Sequence, residues 1–312
     1  MPTINLGLLR RVLAVRGLTP ATEIAEASGG RTEEACLRPA QLIEGDSLAA
    51  IAVGSPEPWT EPVAFLDGVQ RSTLVAYAGA APLIVAEIAA GVRERRDARL
   101  ATVVEERQVL AIARPSALAA AGDALDGIAT LALPEDEPPH PVRDLFNAGR
   151  AVDRARGSLE LAVAARFRAR SNGWLLVDGA LSESPAWAED PRIIGIAKSH
   201  ATLPFEGEAL ERYLRLPPGH RSSIYAPATR SVAPVRAWAL RLWPWEGRDL
   251  FYGLVRVEVA PVHGTPDAAS LLSRRLLAER APISTPDPRW DRVLYGIHSV
   301  EQYLRTRALV PA

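Results

Sequence analysis

VAFLDG at residues 63–68 and WLLVDG at residues 174–179 share one design, four apolar residues followed by Asp-Gly. A buried strand ending in Asp sets a carboxylate at the rim of a sheet, and the glycine lets a phosphate or a metal ion come close to the backbone. For one such stretch alone, Asp-Gly is equally the commonest hairpin turn signal. Two matching stretches make Asp67 and Asp178 a candidate pair. A third Asp-Gly, Asp126-Gly127 in GDALDGIA, lacks the apolar run before it and reads as a turn.

Working outward, the segments NLGLLRRVLAVRG and TPATEIAEASGG have helical spacing, so residues 1–54 read as an N-terminal helical segment. The breaker-rich stretch GSPEPWTEP (54–62) separates it from residues 55–312. VAFLDGVQRSTLVAYAG reads as paired strands, and residues 82–107, with EIAAGVRERRDARL, as a helix with a charged face. RQVLAIA (107–113) reads as a buried strand and LPEDEPPHP (133–141) as a loop. A long helical pattern follows from Val142 to about Ser171. The later apolar runs IIGIAKS (193–199), VRAWALRLWPW and DLFYGLVRVEVAP read as strands. DAASLLSRRLLAER and PRWDRVLYGIHSVEQYLRTRAL read as closing helices. Strands and helices mixed in this way predict an α/β fold with a mixed sheet.

A single cysteine, Cys36, excludes an internal disulfide and a cysteine-based metal cluster. No run approaches the ~18 apolar residues of a membrane helix, and arginines interrupt the first apolar stretch where a signal peptide would keep it unbroken. A cytoplasmic protein with no membrane association is the simplest expectation. The formal net charge of −1 argues against a stand-alone nucleic-acid binder whose affinity rests on cationic excess. It leaves room for an enzyme that touches DNA locally, since carboxylates at a metal site offset arginines elsewhere.

Further ligands sit at suggestive places. Glu160 precedes Asp178 by eighteen positions, in the helical stretch SLELAVAARF beside the face that should pack on the sheet. An ordinary flank glutamate paired with Arg156 one turn earlier is the competing reading. His298 flanks the apolar stripe Trp290, Val293, Leu294, Ile297 and Leu304 of the last helix, with Glu301 one turn on. Carboxylates suit Mg²⁺, and Mn²⁺ also accepts an imidazole. Of the 36 Lys and Arg residues, Lys198 is the only lysine, which suggests a site wanting a compact ammonium rather than a planar fork.

The order of these features resembles the NurA family of DNA-repair nucleases. A strand-end Asp-Gly is followed by a helix glutamate and a second strand-end Asp-Gly. The IGIAKS and FYGLVRVEV strands and a last helix bearing a histidine then follow. The resemblance covers roughly residues 60 to 305. It implies an RNase H-like mixed sheet flanked by helices, and a metal-dependent deoxyribonuclease using two ions, Mn²⁺ or Mg²⁺. It further implies Asp67, Glu160, Asp178 and His298 as metal ligands. With the metals so placed, the lone lysine Lys198 reads as a point charge beside the scissile phosphate, in a place where arginine would compete for the carboxylates. It also implies DNA as substrate, a HerA-type hexameric ATPase as partner and a homodimer, for which residues 4–30 are the candidate dimer or ATPase contact. Tyr225 and Arg230, in SSIYAPATRSVAPVR, are candidates to line a DNA channel. The clusters RERRDAR and RFRAR read as DNA steering or solvated helix faces, RLWPW as a docking loop or core, and His200 is a site candidate by proximity to Lys198.

Two rival readings have distinct signatures. An actin-like or sugar-kinase-like phosphotransferase needs a DGGT-like phosphate loop, of which DGVQRS and DGALSES are poor versions. A non-catalytic scaffold subunit of an ATPase complex has no reason to keep four charged groups at a sheet rim.

Overall fold

The apolar run at residues 63–66 does not stop at Asp67. In the structure, a computed structural model that describes residues 5–20, 36–97, 99–200, 202–228, 233–245, 250–282 and 290–307, it opens a 16-residue strand. The elements of the first half are α1 (Leu6–Val15), β1 (Thr19–Pro20), β2 (Cys36–Leu37), β3 (Gln41–Leu42), β4 (Ala50–Ala52), β5 (Val63–Ala78), β6 (Ala81–Arg96), β7 (Arg99–Ala113), α2 (Pro115–Ala121) and β8 (Ala129–Ala132). The second half has α3 (Pro141–Arg168), β9 (Trp174–Asp178), α4 (Pro185–Ala188), β10 (Ile193–Ala197), β11 (Thr202–Leu203), α5 (Gly207–Leu214), β12 (His220–Ser222), β13 (Tyr225–Ala226), β14 (Arg236–Arg241), β15 (Leu254–Val259), α6 (Pro266–Ala278) and α7 (Tyr295–Arg305).

One mixed sheet runs β3-β13-β14-β15-β10-β9-β5-β6-β7-β8, with β1 on β5 and with β12 and β4 off β14. β5, β9 and β10 are parallel neighbours at its centre, where buried strands read as near-continuous apolar runs. Alternation along these strands assigns the two faces. Leu66 and Val177 pack with Val152, Leu159 and Val163 of α3. Phe65, Leu176, Ile196 and Val257 pack with α6 and α7 through Leu272, Leu276, Ile297 and Val300. A third cluster seats Leu9 and Leu13 of α1 on Val75, Leu83 and Val85.

The mixed α/β sheet flanked by helices is as the sequence predicts, but three segments differ. Residues 82–107 form most of the β6–β7 hairpin rather than a helix. The helix-forming Ala, Glu and Arg residues there are overridden because all of β6 from Ala81 to Val92 is buried between layers. VAFLDGVQRSTLVAYAG is a single strand rather than two. In the N-terminal segment α1 is helical, but residues 36–52 contribute short strands, of which β3 and β4 pair with β13 and β12 of the main sheet. Most of TPATEIAEASGG lies outside the described residues.

The predicted long helix is present as α3, continuous through Gly157. His140 caps it by accepting from the Arg143 amide at 3.3 Å, Pro141 fills its first turn, and Arg166 and Arg168 close its last. Buried Arg114, at the end of β7, grips Asp144 in the first turn at 2.7 and 3.0 Å and so ties the helix start to the sheet. This anchoring fixes where Glu160, sixteen residues on in the same helix, meets β5. The arginine clusters are largely engaged. Arg95 makes a bidentate pair with Glu279, Arg93 donates to Ser299 and the Leu100 carbonyl, and Arg168 holds Asp190. Trp243 of RLWPW packs edge-on against Trp290 under the Arg280 guanidinium, as part of the core margin.

Candidate active site at the β5–β9 divergence

β9 pairs with β5 from Trp174↔Val63 to Val177↔Leu66, so the next residues, Asp178 and Asp67, stand side by side as the strands part. β9 ends there, whereas β5 continues. Among the described residues the β9-side edge of β5 is next paired only at Ala76 and Tyr77, by β1. The site is therefore at a parting of strands rather than at two strand ends, and Asp67-Gly68 is not a turn. Asp126-Gly127 is one, with Gly127 at φ 80°.

The same register carries across β10, where Ile196 faces Asp178 and Lys198 follows two residues later. Alternation puts Asp67, Asp178 and Lys198 on the α7 side with Phe65, Leu176 and Ile196. Lys198 Nζ lies 3.1 Å from Asp178 Oδ2, an ion pair in which the lysine is 14% exposed. Lys198 therefore neutralises one of the two site aspartates.

Glu160 arrives from the opposite layer. It is 7% exposed on α3, and its carboxylate fills the space where a side chain at residue 68 would begin. A Cβ built on Gly68 would lie 2.9 Å from both Cγ and Cδ of Glu160 and closer still to Oε1. Gly68 is thus required by a neighbouring ligand candidate rather than by a turn. The Arg156 guanidinium pairs with Glu160 one turn away, as the plainer reading of that residue expected.

Asp67 is 7% exposed, and its carboxyl is held well above the ordinary aspartate range. Burial is the largest cause; the negative charges of Asp178, Glu160 and Glu301 act in the same direction, against the pull of Lys198. Asp178, Glu160 and Glu301 therefore all lie near enough to Asp67 to bear on its charge. Glu301, on α7, was not singled out as a ligand from sequence, although it lies one turn beyond His298. His298 is 8% exposed on the same helix, which is brought against β5 by Gly296, where a Cβ would meet the Phe65 ring.

Other candidates fall elsewhere. Tyr225 has no exposed surface. It pairs within the sheet and packs on Phe205 and Tyr213, so it belongs to the core and does not line a channel. Arg230 lies outside the described residues. His200 is stacked on Phe251 with Nε2 2.9 Å from the Leu254 carbonyl, and burial lowers its pKa to about 4, so it is a neutral structural histidine.

As placed, no three His, Cys, Asp or Glu side chains among the described residues converge on one point as a ready cage for an ion. Three of the site carboxylates are instead paired with cations of this chain. Arg156 holds Glu160, Lys198 holds Asp178, and Arg305 holds Glu301 at 3.0 and 3.1 Å. The donor set nonetheless fits a hard divalent cation. It is made of carboxylate oxygens, and the charge that burdens Asp67 is what a dication would relieve.

No family model matches this chain, and no curated protein matches it. A search of solved structures finds the crystal structure of the NurA nuclease from Sulfolobus solfataricus at a TM-score of 0.51. The match covers 82% of this chain and 81% of that one at 12% identity. The fold is NurA-like. At that identity the likeness concerns the fold, and what the chain does rests on its own residues. Among the described residues no helix is long and apolar enough to cross a membrane.

Proposed function

We propose that this protein is a divalent-metal-dependent DNA nuclease that hydrolyses phosphodiester bonds at the β5–β9 divergence. The observation that carries the reading is buried Asp67 standing beside Asp178 where β9 leaves β5, with Glu160 filling the notch at Gly68, on a NurA-like sheet. Burying charges of one sign together costs stability unless a cation or protons compensate, and functional sites are where such costs persist. Asp67, Asp178 and Glu160 would hold the metal, with His298 or Glu301 completing the set from α7. Two Mn²⁺ or Mg²⁺ ions held there would supply Lewis acidity and a water nucleophile at neutral pH.

The chain's own groups do the rest. Asp67 and Asp178 bind from adjacent strands and so keep a fixed separation. Glu160 comes through the Gly68 notch from the other layer. Lys198 is tethered at Asp178 and offers its ammonium to a phosphate oxygen as negative charge builds there. The α6–α7 layer packs on the sheet face that carries Asp67. In the cell we place the enzyme in the cytoplasm, as a homodimer processing DNA ends with a HerA-type hexameric ATPase in repair or defence against foreign DNA. The near-neutral charge suits a nuclease whose substrate is delivered by a partner.

The test is degradation of labelled linear single- and double-stranded DNA with Mn²⁺ by the wild type beside Asp178→Asn. Cleavage by the wild type alone supports the proposal, and equal cleavage by both places the activity elsewhere. If neither cuts, the assay is repeated with the ATPase and ATP. Silence there too would favour a scaffold subunit.

A further inference from the structure

Arg156 pairs with a site carboxylate, and the chemistry proposed above gives it no role. It is held on two sides. One terminal nitrogen pairs with Glu160, and Nε donates to Gln70 Oε1 at 3.0 Å. Gln70 is itself fixed, because its Nε2 donates to Asp153 Oδ1 at 2.8 Å. The order of contacts is therefore Asp153, Gln70, Arg156, Glu160, across the α3 face of β5. Gln70 lies two residues beyond Gly68, on the same face, so its amide sets where the guanidinium plane sits relative to the notch. Such a relay is more than an ordinary helix pair at i and i+4, which needs no third and fourth partner. It pre-orients a planar fork beside the Gly68 notch that Glu160 fills.

We propose that Arg156 is a two-position phosphate-binding residue, resting on Glu160 in the metal-free protein and turning to a phosphodiester oxygen once Glu160 takes a divalent cation. This rests on the function proposed above and names a further residue of that site. A carboxylate engaged by a metal has less to offer a guanidinium, while the Nε–Gln70 bond keeps the fork at the notch. A phosphate oxygen arriving there replaces the lost partner with an equivalent charge-assisted bond. In the absence of metal the same residue competes for Glu160, so the site keeps its carboxylates apart until an ion arrives.

Two titrations on the intact protein test this without cleavage. Calorimetry measures Mn²⁺ affinity in the absence of DNA, and anisotropy measures binding of a labelled single-stranded oligonucleotide with Ca²⁺. Arg156→Met should tighten Mn²⁺ binding, by removing a competitor, and weaken the oligonucleotide about tenfold, as expected for loss of one charge-assisted hydrogen bond. Arg156→Lys should return Mn²⁺ affinity toward wild type but leave oligonucleotide binding weak, since an ammonium lacks the planar fork that holds Gln70 through Nε while its terminal nitrogens face the phosphate. Gln70→Ala, a milder change should Arg156→Met fold poorly, should weaken the oligonucleotide with Mn²⁺ affinity unchanged. Unchanged Mn²⁺ or oligonucleotide affinity in Arg156→Met overturns the proposal, as does tighter metal binding without oligonucleotide loss. Asp67→Asn separates the two readings. If it abolishes Mn²⁺ binding while Arg156→Met is silent, only this inference falls; if it binds Mn²⁺ normally, the metal site falls with it.

Discussion

Gly68→Ala adds one methyl group, and the structure says where it goes. The new Cβ would stand 2.9 Å from Cγ and Cδ of Glu160 and closer to Oε1, against an ordinary carbon contact of about 3.5 Å. The stem must therefore retreat by more than half an ångström and the carboxylate by more. The obstacle is the far end of a flexible side chain, so the fold yields cheaply: Glu160 turns away and β5 keeps its pairing. A catalytic group misplaced by 1 Å costs about 10²-fold in rate, or about 2.7 kcal/mol of barrier. The expected variant folds, with circular dichroism and Tm near wild type, but degrades labelled DNA with Mn²⁺ about a hundred times more slowly. Its Mn²⁺ affinity falls as well. Wild-type cleavage by folded Gly68→Ala would refute the placement of Glu160 in the site.

Asp67→Asn should raise Tm in metal-free buffer at neutral pH. The carboxyl's pKa is raised on folding, so its favourable contribution is present at low pH and lost as pH climbs through the raised value. The variant's advantage, read from thermal melts across pH, should accordingly grow with pH; a variant less stable at pH 7.5 than at pH 4, relative to wild type, would contradict this. Mn²⁺ at a hundred times its Kd should stabilise the wild type by about 2.7 kcal/mol and leave Asp67→Asn unmoved. Gly195→Ala should destabilise by about 1–3 kcal/mol in urea melts, because its Cβ would meet the Gly179 carbonyl and Leu181 Cγ at 2.8 Å. Tyr225→Phe should leave oligonucleotide affinity unchanged in anisotropy titrations, since the ring is wholly buried.

What the sequence made legible follows from which signals are local. The runs at 63–66 and 174–177 are apolar because both sheet faces are covered there, and the Asp that ends each run falls at the shared parting of strands. The α3 period survives because one face of that helix meets water. β6 was misread because burial on both faces erases the alternation that marks a strand, leaving Ala, Glu and Arg to suggest a helix. Tyr225 was misread because short strands set among prolines look like loop until their partners, Ala237 and Leu42, are known. Gln70 carries no signal of its own; its tie to Asp153 spans 83 residues and exists only in three dimensions. Glu301 was within reach, one turn from the histidine already under consideration.

The measurement that bears most directly on the central claim is cleavage of labelled linear DNA by purified protein with Mn²⁺, wild type beside Asp178→Asn, with both shown folded by thermal melts. The account predicts degradation by the wild type and none above background by the variant. Equal cleavage by the two proteins would contradict it.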